Sequence, residues 1–227
     1  MADIPDHIAN LRSNVAEVKR LVSIHTQLTG NGPGRRYDVQ VLNKSAILLI
    51  VATWESFIES LVLTSASFLV DHLNDISQVP KDPKSAISHR LKSDKHNEAV
   101  WLLAGNGWKE QLTVEANERI GRLHTPAAHN IDHLFCNTLG ISRLSSHWHW
   151  PGGTNTNVVR RLQSLLDLRH EIAHGVKTSR SVTKKYVQDS NIFVIRLAAI
   201  SSNQLRGHLH AITGEYPWRI FVKGAAR

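Results

Sequence analysis

Residues 46–59 read Ala46-Ile-Leu-Leu-Ile-Val-Ala-Thr-Trp54-Glu55-Ser-Phe57-Ile-Glu59, and the fold is best predicted from this segment. Apolar side chains continue at helical spacing from Leu42 to Leu69, which predicts one long helix from about Val39 to Ile76. Apolar stripes of this kind are buried when helices pack against one another. The segment therefore favours an all-α fold, with this helix contributing to the core of a helical bundle.

Helical patterns are also predicted on both sides of the long helix. Glycine and proline mark the breaks between them, beginning with Gly30-Asn-Gly-Pro-Gly34. Gly175 is the expected C-cap of one helix, and Ser181 is the expected N-cap of the next. A loop is expected over 142–157 and a short extended tail at 218–222. The further predicted helices are 6–29, shorter helices within 84–121, one closed by Gly140, one ending at Gly175 and one ending near Gly214.

The composition restricts the classes of partner. The 227 residues carry a formal charge of +8, which favours nucleic acid or an acidic membrane surface, although a protein that is merely basic is the alternative. No signal-peptide pattern is present, and no apolar run reaches the roughly 20 residues of a membrane helix. The lone Cys136 excludes an internal disulfide and fits a reducing cytoplasm. We expect one cytoplasmic domain over residues 1–227, with its core at about 40–213, the helix 6–29 packed on it, and no membrane partner.

The segment Leu168-Arg-His-Glu-Ile-Ala-His-Gly175 contains two overlapping motifs that predict different enzymes. The first is His-Glu-x-x-His, in which His170 and His174 share a helix face and could hold zinc while Glu171 activates water. A zinc peptidase needs a third ligand, and the usual downstream positions hold Lys177 and Arg180. We therefore expect no metal cofactor, with a zinc peptidase as the less favoured alternative.

The second motif is Arg-x4-His, formed by Arg169 and His174. Five residues at about 100° each place the two side chains about 140° apart on a helix, so they could line two sides of a groove or meet counterparts across a two-fold axis. An imidazole can move a proton during attack by a ribose 2′-hydroxyl. A guanidinium can hold the phosphate as negative charge develops. Both residues could instead be structural, with the arginine bridging helices and the histidine interacting with the helix dipole.

Three segments in order resemble the HEPN superfamily (higher eukaryotes and prokaryotes nucleotide-binding), in particular its RiboL-PSP-HEPN branch. They are the Trp54-Glu55 helix, the segment from Leu123 to Ile141 and the Arg-x4-His motif. The resemblance implies a HEPN-like helical bundle with extra short helices. It also implies a metal-independent endoribonuclease that leaves a 2′,3′-cyclic phosphate, with Arg169 and His174 catalytic. Members are usually homodimers with facing motifs, often act in phage defence or as toxins with a partner protein, and in some cases have lost catalysis.

Other residues are expected to support this site. By resemblance, His170 occupies the polar position after the arginine, where asparagine or aspartate is more usual. Glu55 lies beside an apolar stripe, so we expect a partner such as Arg169 or a histidine. RNA-binding positions are predicted for basic residues after the motif and for two tryptophans that could stack on bases or pack on the bundle instead: Lys177, Arg180, Lys184, Lys185, Trp148 and Trp150.

Overall fold

The computed structural model describes residues 4–30, 39–93, 95, 98–178 and 180–222, and 76% of it is helical. No β-strand is assigned within these ranges, in agreement with the predicted all-α class. The predicted break at 31–34 lies outside the described residues. Short 3-10 turns occupy Ile76–Gln78, Ala99–Leu103 and Leu144–His147. The α-helices are α1 (Asp6–Thr29), α2 (Gln40–His72), α3 (Lys81–Lys92), α4 (Gly107–Gly121), α5 (Ala128–Leu139), α6 (Asn155–Ala173) and α7 (Lys184–Thr213).

Helix α2 is the central element and packs against α1, α4, α5, α6 and α7. Its buried side chains, which include Ile47, Trp54, Phe57 and Leu61, run along nearly its whole length. By length and composition α2 could cross a membrane, but 56% of its most apolar window is buried inside the bundle, as in the core helix of a soluble protein. The predicted helix is confirmed, but it ends at His72 rather than near Ile76.

The physical reason for this earlier end is a local cap. Leu73 is extended, and Asp75 then starts a 3-10 turn by accepting a hydrogen bond from the Ser77 backbone N–H. Gln78 returns its side-chain oxygen to the backbone N–H of Asp75, which completes a capping box. These bonds satisfy polar backbone groups that a continued helix would otherwise use.

The first helix and the C-terminal tail close one side of the bundle. His7 of α1 is fully buried, with Nε2 3.1 Å from Ser202 Oγ and its ring edge-on to Phe57 and Trp218. Arg206 donates to the Trp218 carbonyl, so α7 holds the tail against α1. Burial lowers the pKa of His7 to about 3, because the protonated imidazole would be a positive charge held in the protein interior, away from water.

The segment between α5 and α6 is ordered by side-chain hydrogen bonds to its backbone. Asp132 accepts from both the backbone N–H and the hydroxyl of Ser145, and Asn155 donates to the Ser145 carbonyl. Trp148 is fully buried against Trp54, and its indole N–H donates to Ser201 Oγ at 2.9 Å. The expectation that Trp148 stacks on RNA bases is therefore wrong, because neither face of its ring reaches solvent.

Candidate active site at the end of α6

Helix α6 presents the Arg-x4-His motif at its C-terminal end. Thr154 caps its start, and one apolar face, including Leu162 and Leu165, is buried in the bundle. At the other end Gly175 adopts the left-handed conformation, with φ +67°. The Val176 N–H donates to the Glu171 carbonyl and the Gly175 N–H donates to the Ile172 carbonyl, which is the Schellman pattern. Helix α6 therefore ends at Ala173 with His174 as its C-cap, and the predicted glycine, Gly175, lies one residue further on, where its left-handed conformation terminates the helix.

Arg169, His170 and His174 are all exposed. The ring centroids of His170 and His174 lie 4.3 Å apart, because residues four apart on a helix share a face. Arg169 precedes His170 by one residue and so projects about 100° away around the helix. One copy of the chain thus places the two imidazoles together and the guanidinium on the neighbouring face.

The Arg169 guanidinium makes no ion pair with any described residue. It is therefore not engaged in the helix bridge that a purely structural arginine would form. A guanidinium of this kind can donate two parallel hydrogen bonds to a phosphate.

The partner expected for Glu55, Arg169 or a histidine, is not observed among the described residues of one copy. Glu55 makes no ion pair or hydrogen bond with another described residue, and its neighbour Trp54 contacts Trp148 near the start of α6. Arg169 lies 14 residues after Asn155, which corresponds to about 21 Å along the helix. Glu55 is only half-buried, so water can solvate its carboxylate. The free-energy cost of burying an unpaired carboxylate, which was the reason to expect a partner, is therefore avoided.

Glu55 and Glu59 lie one helical turn apart on α2. Burial first, and the nearby Glu55 charge second, raise the pKa of Glu59. This like-charged pair at i, i+4 lies on α2 and is not part of the motif at the end of α6.

The metal-binding alternative depends on the number of ligands that the chain brings together. No group of three or more His, Cys, Asp or Glu side chains able to hold a metal occurs in the part of the chain that the structure describes. Glu171 has an interaction partner and is half-buried. His170 and His174 alone would supply two ligands, whereas catalytic zinc sites take three from the protein.

The basic residues after the motif divide into two groups. Lys177 and Arg180 are exposed in the segment that joins α6 to α7, and the Arg180 guanidinium lies 5.4 Å from the Tyr186 ring centre. Lys184 donates to Thr26 Oγ1, and Lys185 pairs with the Asp189 carboxylate at 2.6 Å. Lys177 and Arg180 are therefore better placed than Lys184 and Lys185 to contact a polyanion.

The cap of α7 also differs from the predicted one. Thr183, not Ser181, accepts a hydrogen bond from the Tyr186 backbone N–H and begins the helix at Lys184. Serine and threonine are both favourable N-cap residues. The helix begins at Lys184 and its first buried residue is Val187, so Thr183 is the residue at the N-cap position. Asn43 of α2 donates to the Val182 carbonyl at 2.9 Å and anchors this start to the core.

A cationic cleft that the sequence did not indicate lies between α6 and α7. It has a volume of about 190 Å³ and includes Trp150, which is half-buried, together with Arg161 and Arg196. Trp150 thus remains accessible, unlike Trp148. The two arginines are 35 residues apart in the chain, and no motif links them. The one feature of the sequence that could have indicated the cleft is that Arg161 lies two turns before Arg169 on the same helix.

One comparison with known proteins assigns a family. The family model described as RiboL-PSP-HEPN matches residues 10–205, which is most of the chain. Searches of curated proteins and of solved structures returned no match. The matched range includes the central helix α2, the α6 motif and most of α7.

Proposed function

This chain belongs to the RiboL-PSP-HEPN family, and from that premise we propose that it is a metal-independent endoribonuclease with Arg169 and His174 at its active centre. HEPN domains generally bind RNA and often dimerise. The observation that carries the proposal is the end of α6, where two neighbouring imidazoles are exposed together with a guanidinium that has no ion pair to a described residue.

The proposed reaction uses a nucleophile that the substrate already contains. The ribose 2′-oxygen bonds to the adjacent phosphorus as its proton passes to an imidazole, and the bond from phosphorus to the 5′-oxygen breaks. The departing 5′-oxygen takes a proton from a protonated imidazole, leaving a 2′,3′-cyclic phosphate and a 5′-hydroxyl. His174 is the proton-transfer group, Arg169 holds the phosphate in the transition state, and His170 supports His174.

The active form is proposed to be a homodimer. In one copy the Arg169 guanidinium and the His170–His174 rings project from adjacent faces, so they do not enclose a phosphate by themselves. A second α6 end related by a two-fold axis would supply a guanidinium and imidazoles from the opposite side. Sedimentation should give a mass near twice 25.4 kDa; a monomer that retains full activity would exclude the shared site.

The biological setting is proposed from the family and from the composition. The positive charge of +8 suits RNA as the substrate, and defence against phage or a toxin-like stress response suits an RNA-cleaving HEPN protein. We propose a cytoplasmic location because Cys136 has no partner thiol in the sequence, which suits a reducing compartment. A partner protein would then control the nuclease.

Cleavage of mixed RNA in EDTA tests the proposal. The wild-type protein should cut RNA and leave a matched 2′-deoxy strand intact, because only RNA contains the attacking hydroxyl. Arg169→Ala and His174→Ala should both be at least about 100-fold slower, which is the lower range for losing one such group. Full activity in both variants would show that Arg169 and His174 are not the catalytic residues.

A non-catalytic RNA-binding module is the second candidate. It is favoured by the exposure of all three motif side chains, Arg169, His170 and His174, in one copy of the chain. This candidate predicts steeply salt-dependent RNA binding with no cleavage at any protein concentration. It also predicts that Arg169→Ala weakens binding, whereas His174→Ala has little effect at neutral pH.

A further inference from the structure

The cleft between α6 and α7 is built around two stacked arginines. The Arg161 guanidinium lies 4.4 Å from the centre of the Phe193 ring, and the Arg196 guanidinium lies 4.8 Å from the centre of the Trp150 ring. Trp150 and Phe193 are in edge-on contact, so the two rings form one aromatic support. Stacking of this kind fixes the plane of a guanidinium and limits the rotamer entropy that ligand binding would remove.

Neither arginine is neutralised by an acidic side chain among the described residues. Arg161 donates to the backbone carbonyl of Asp189 at 2.8 Å, which is a neutral acceptor. The Asp189 carboxylate, the one acidic group on the cleft wall, is paired with Lys185. Arg196 makes no hydrogen bond, and its Nε is buried without a partner in the part of the chain described. Two guanidinium groups therefore face the cleft without an ion pair to any described residue.

Phosphate is the anion that this arrangement fits best. Planar guanidinium groups bind phosphate oxygens through paired hydrogen bonds, and a backbone phosphodiester offers its two non-bridging oxygens as acceptors for the two groups. The exposed Ile192 and the edges of the aromatic rings line the same cleft and offer apolar contact for a sugar or base next to the phosphate.

The position of the cleft relates it to the candidate active site. Arg161 precedes Arg169 by eight residues on α6, a rise of about 12 Å with a rotation of about 80°. Resting on the proposed function, we propose that Arg161 and Arg196 bind a backbone phosphate of the RNA strand, a few nucleotides from the bond cut at Arg169 and His174. The cleft would then set where along the strand cleavage occurs.

Binding of a short fluorescein-labelled oligouridine, followed by anisotropy in the His174→Ala background, tests this assignment without cleavage. Arg161→Gln and Arg196→Gln should each raise the Kd by about tenfold, as expected for a charged hydrogen-bonding contact. The slope of log K against log salt should become shallower by about 0.7 for each single-strand phosphate that the variant no longer neutralises. Arg196→Lys keeps the charge but removes the planar fork, so its Kd should lie between those of the wild type and Arg196→Gln.

Arg160→Gln is the matched control, because it removes the same charge from an exposed neighbour about 100° around α6. Its Kd should stay within about twofold, as for a charge that makes no defined contact. Equal losses of affinity in Arg160→Gln and the cleft variants, or no oligouridine binding at all, would overturn the cleft assignment. Circular dichroism of each variant confirms that the fold is retained.

Cleavage assays test the phosphate cleft and the proposed catalytic residues separately. If the cleft variants lose affinity while Arg169→Ala and His174→Ala still cut RNA, the phosphate cleft stands and the assigned catalytic residues fail. If Arg169 and His174 are required but the cleft variants bind and cut as wild type, only the cleft assignment is wrong. If both hold, the cleft variants should also shift or blur the cleavage positions on a long RNA.

Discussion

The imidazole rings of His170 and His174 lie 4.3 Å apart at the end of α6, with an angle of 52° between their planes. The two rings can therefore act on the same region of a ligand or pass a proton between neighbouring positions. Arg169 projects from the adjacent face, about 100° away. This division of the motif between two faces is the reason that a second copy of the chain enters the proposed mechanism.

The two histidines should differ in their effect on RNA cleavage. His174→Ala is expected to slow cleavage by at least about 100-fold, because it removes the proton-transfer group. His170→Ala removes the neighbouring ring and should cost less, about tenfold, since the family commonly places an amide or carboxylate there. Single-turnover rates at saturating protein measure both. A larger loss in His170→Ala than in His174→Ala would reverse the roles assigned to them.

The stability of the α6 end should depend on glycine at position 175. Gly175→Ala places a Cβ on a residue with φ +67°, which costs about 1–2 kcal/mol in the left-handed region. No atom of the described residues lies within 4 Å of that Cβ, so the expected cost comes from the backbone conformation. Gly175→Asn should cost less, because asparagine tolerates this conformation. Urea unfolding measures the free-energy change.

Gly121→Ala is the matched control for this prediction. Gly121 is the last residue of α4, and a Cβ there also has nothing within 4 Å. Its φ is not in the left-handed region, so alanine should be neutral or stabilise the protein by up to about 1 kcal/mol. Equal destabilisation by the two alanines would argue against a specific cap at Gly175.

Acid should destabilise the protein through His7. Its pKa is about 3 in the folded protein and 6.5 in the unfolded chain, so the unfolded chain binds the proton first. The contribution of neutral His7 is complete above pH 6.5 and is lost progressively as the pH falls toward about 3. Each pH unit in that window should lower the free energy of unfolding by up to about 1.4 kcal/mol.

His7→Phe isolates this effect from the carboxylates that titrate in the same range. The variant keeps an aromatic ring between Phe57 and Trp218 but cannot take up a proton, so its stability should fall less steeply below pH 6.5 than that of wild type. His89→Phe, at an exposed position on α3, serves as the control and should keep the wild-type slope. Parallel curves for wild type and His7→Phe would show that His7 does not carry the acid sensitivity.

The start of α7 should depend on Thr183 and not on Ser181. Thr183→Ala removes the hydroxyl that accepts from the Tyr186 N–H and should cost about 1 kcal/mol of stability. Ser181→Ala is the matched control, and a change at this exposed position should stay within about 0.5 kcal/mol. If thermal or urea unfolding shows a larger loss of stability in Ser181→Ala than in Thr183→Ala, Ser181 is the N-cap residue.

Much of the fold follows from periodicity and from glycine. The helix predicted at 6–29 is α1 with both its bounds, and the ends at Gly140, Gly175 and Gly214 are all observed with left-handed glycines. These features depend on residues close together in the chain, where helical spacing and backbone conformation are direct consequences of residue type.

Features that depend on distant residues could not be predicted in the same way. The burial of Trp148 requires Ser201, 53 residues later, to accept its indole N–H, and no local pattern encodes that acceptor. The cleft arginines are separated by the last 12 residues of α6, the connecting segment and the first 12 residues of α7. In the candidate site, the spacing of four predicted the shared face of His170 and His174, whereas no local pattern determined whether Glu55 and Arg169 form a pair.

The most direct test of the central claim is the chemical identity of the ends formed when a defined RNA is incubated with the protein in EDTA. Mass spectrometry should find 2′,3′-cyclic phosphate and 5′-hydroxyl ends with wild-type protein. Arg169→Ala and His174→Ala, at the same concentration, should form them at least about 100-fold more slowly. Undiminished formation of these ends by both variants, or 3′-hydroxyl ends from the wild type, would contradict the proposed nuclease.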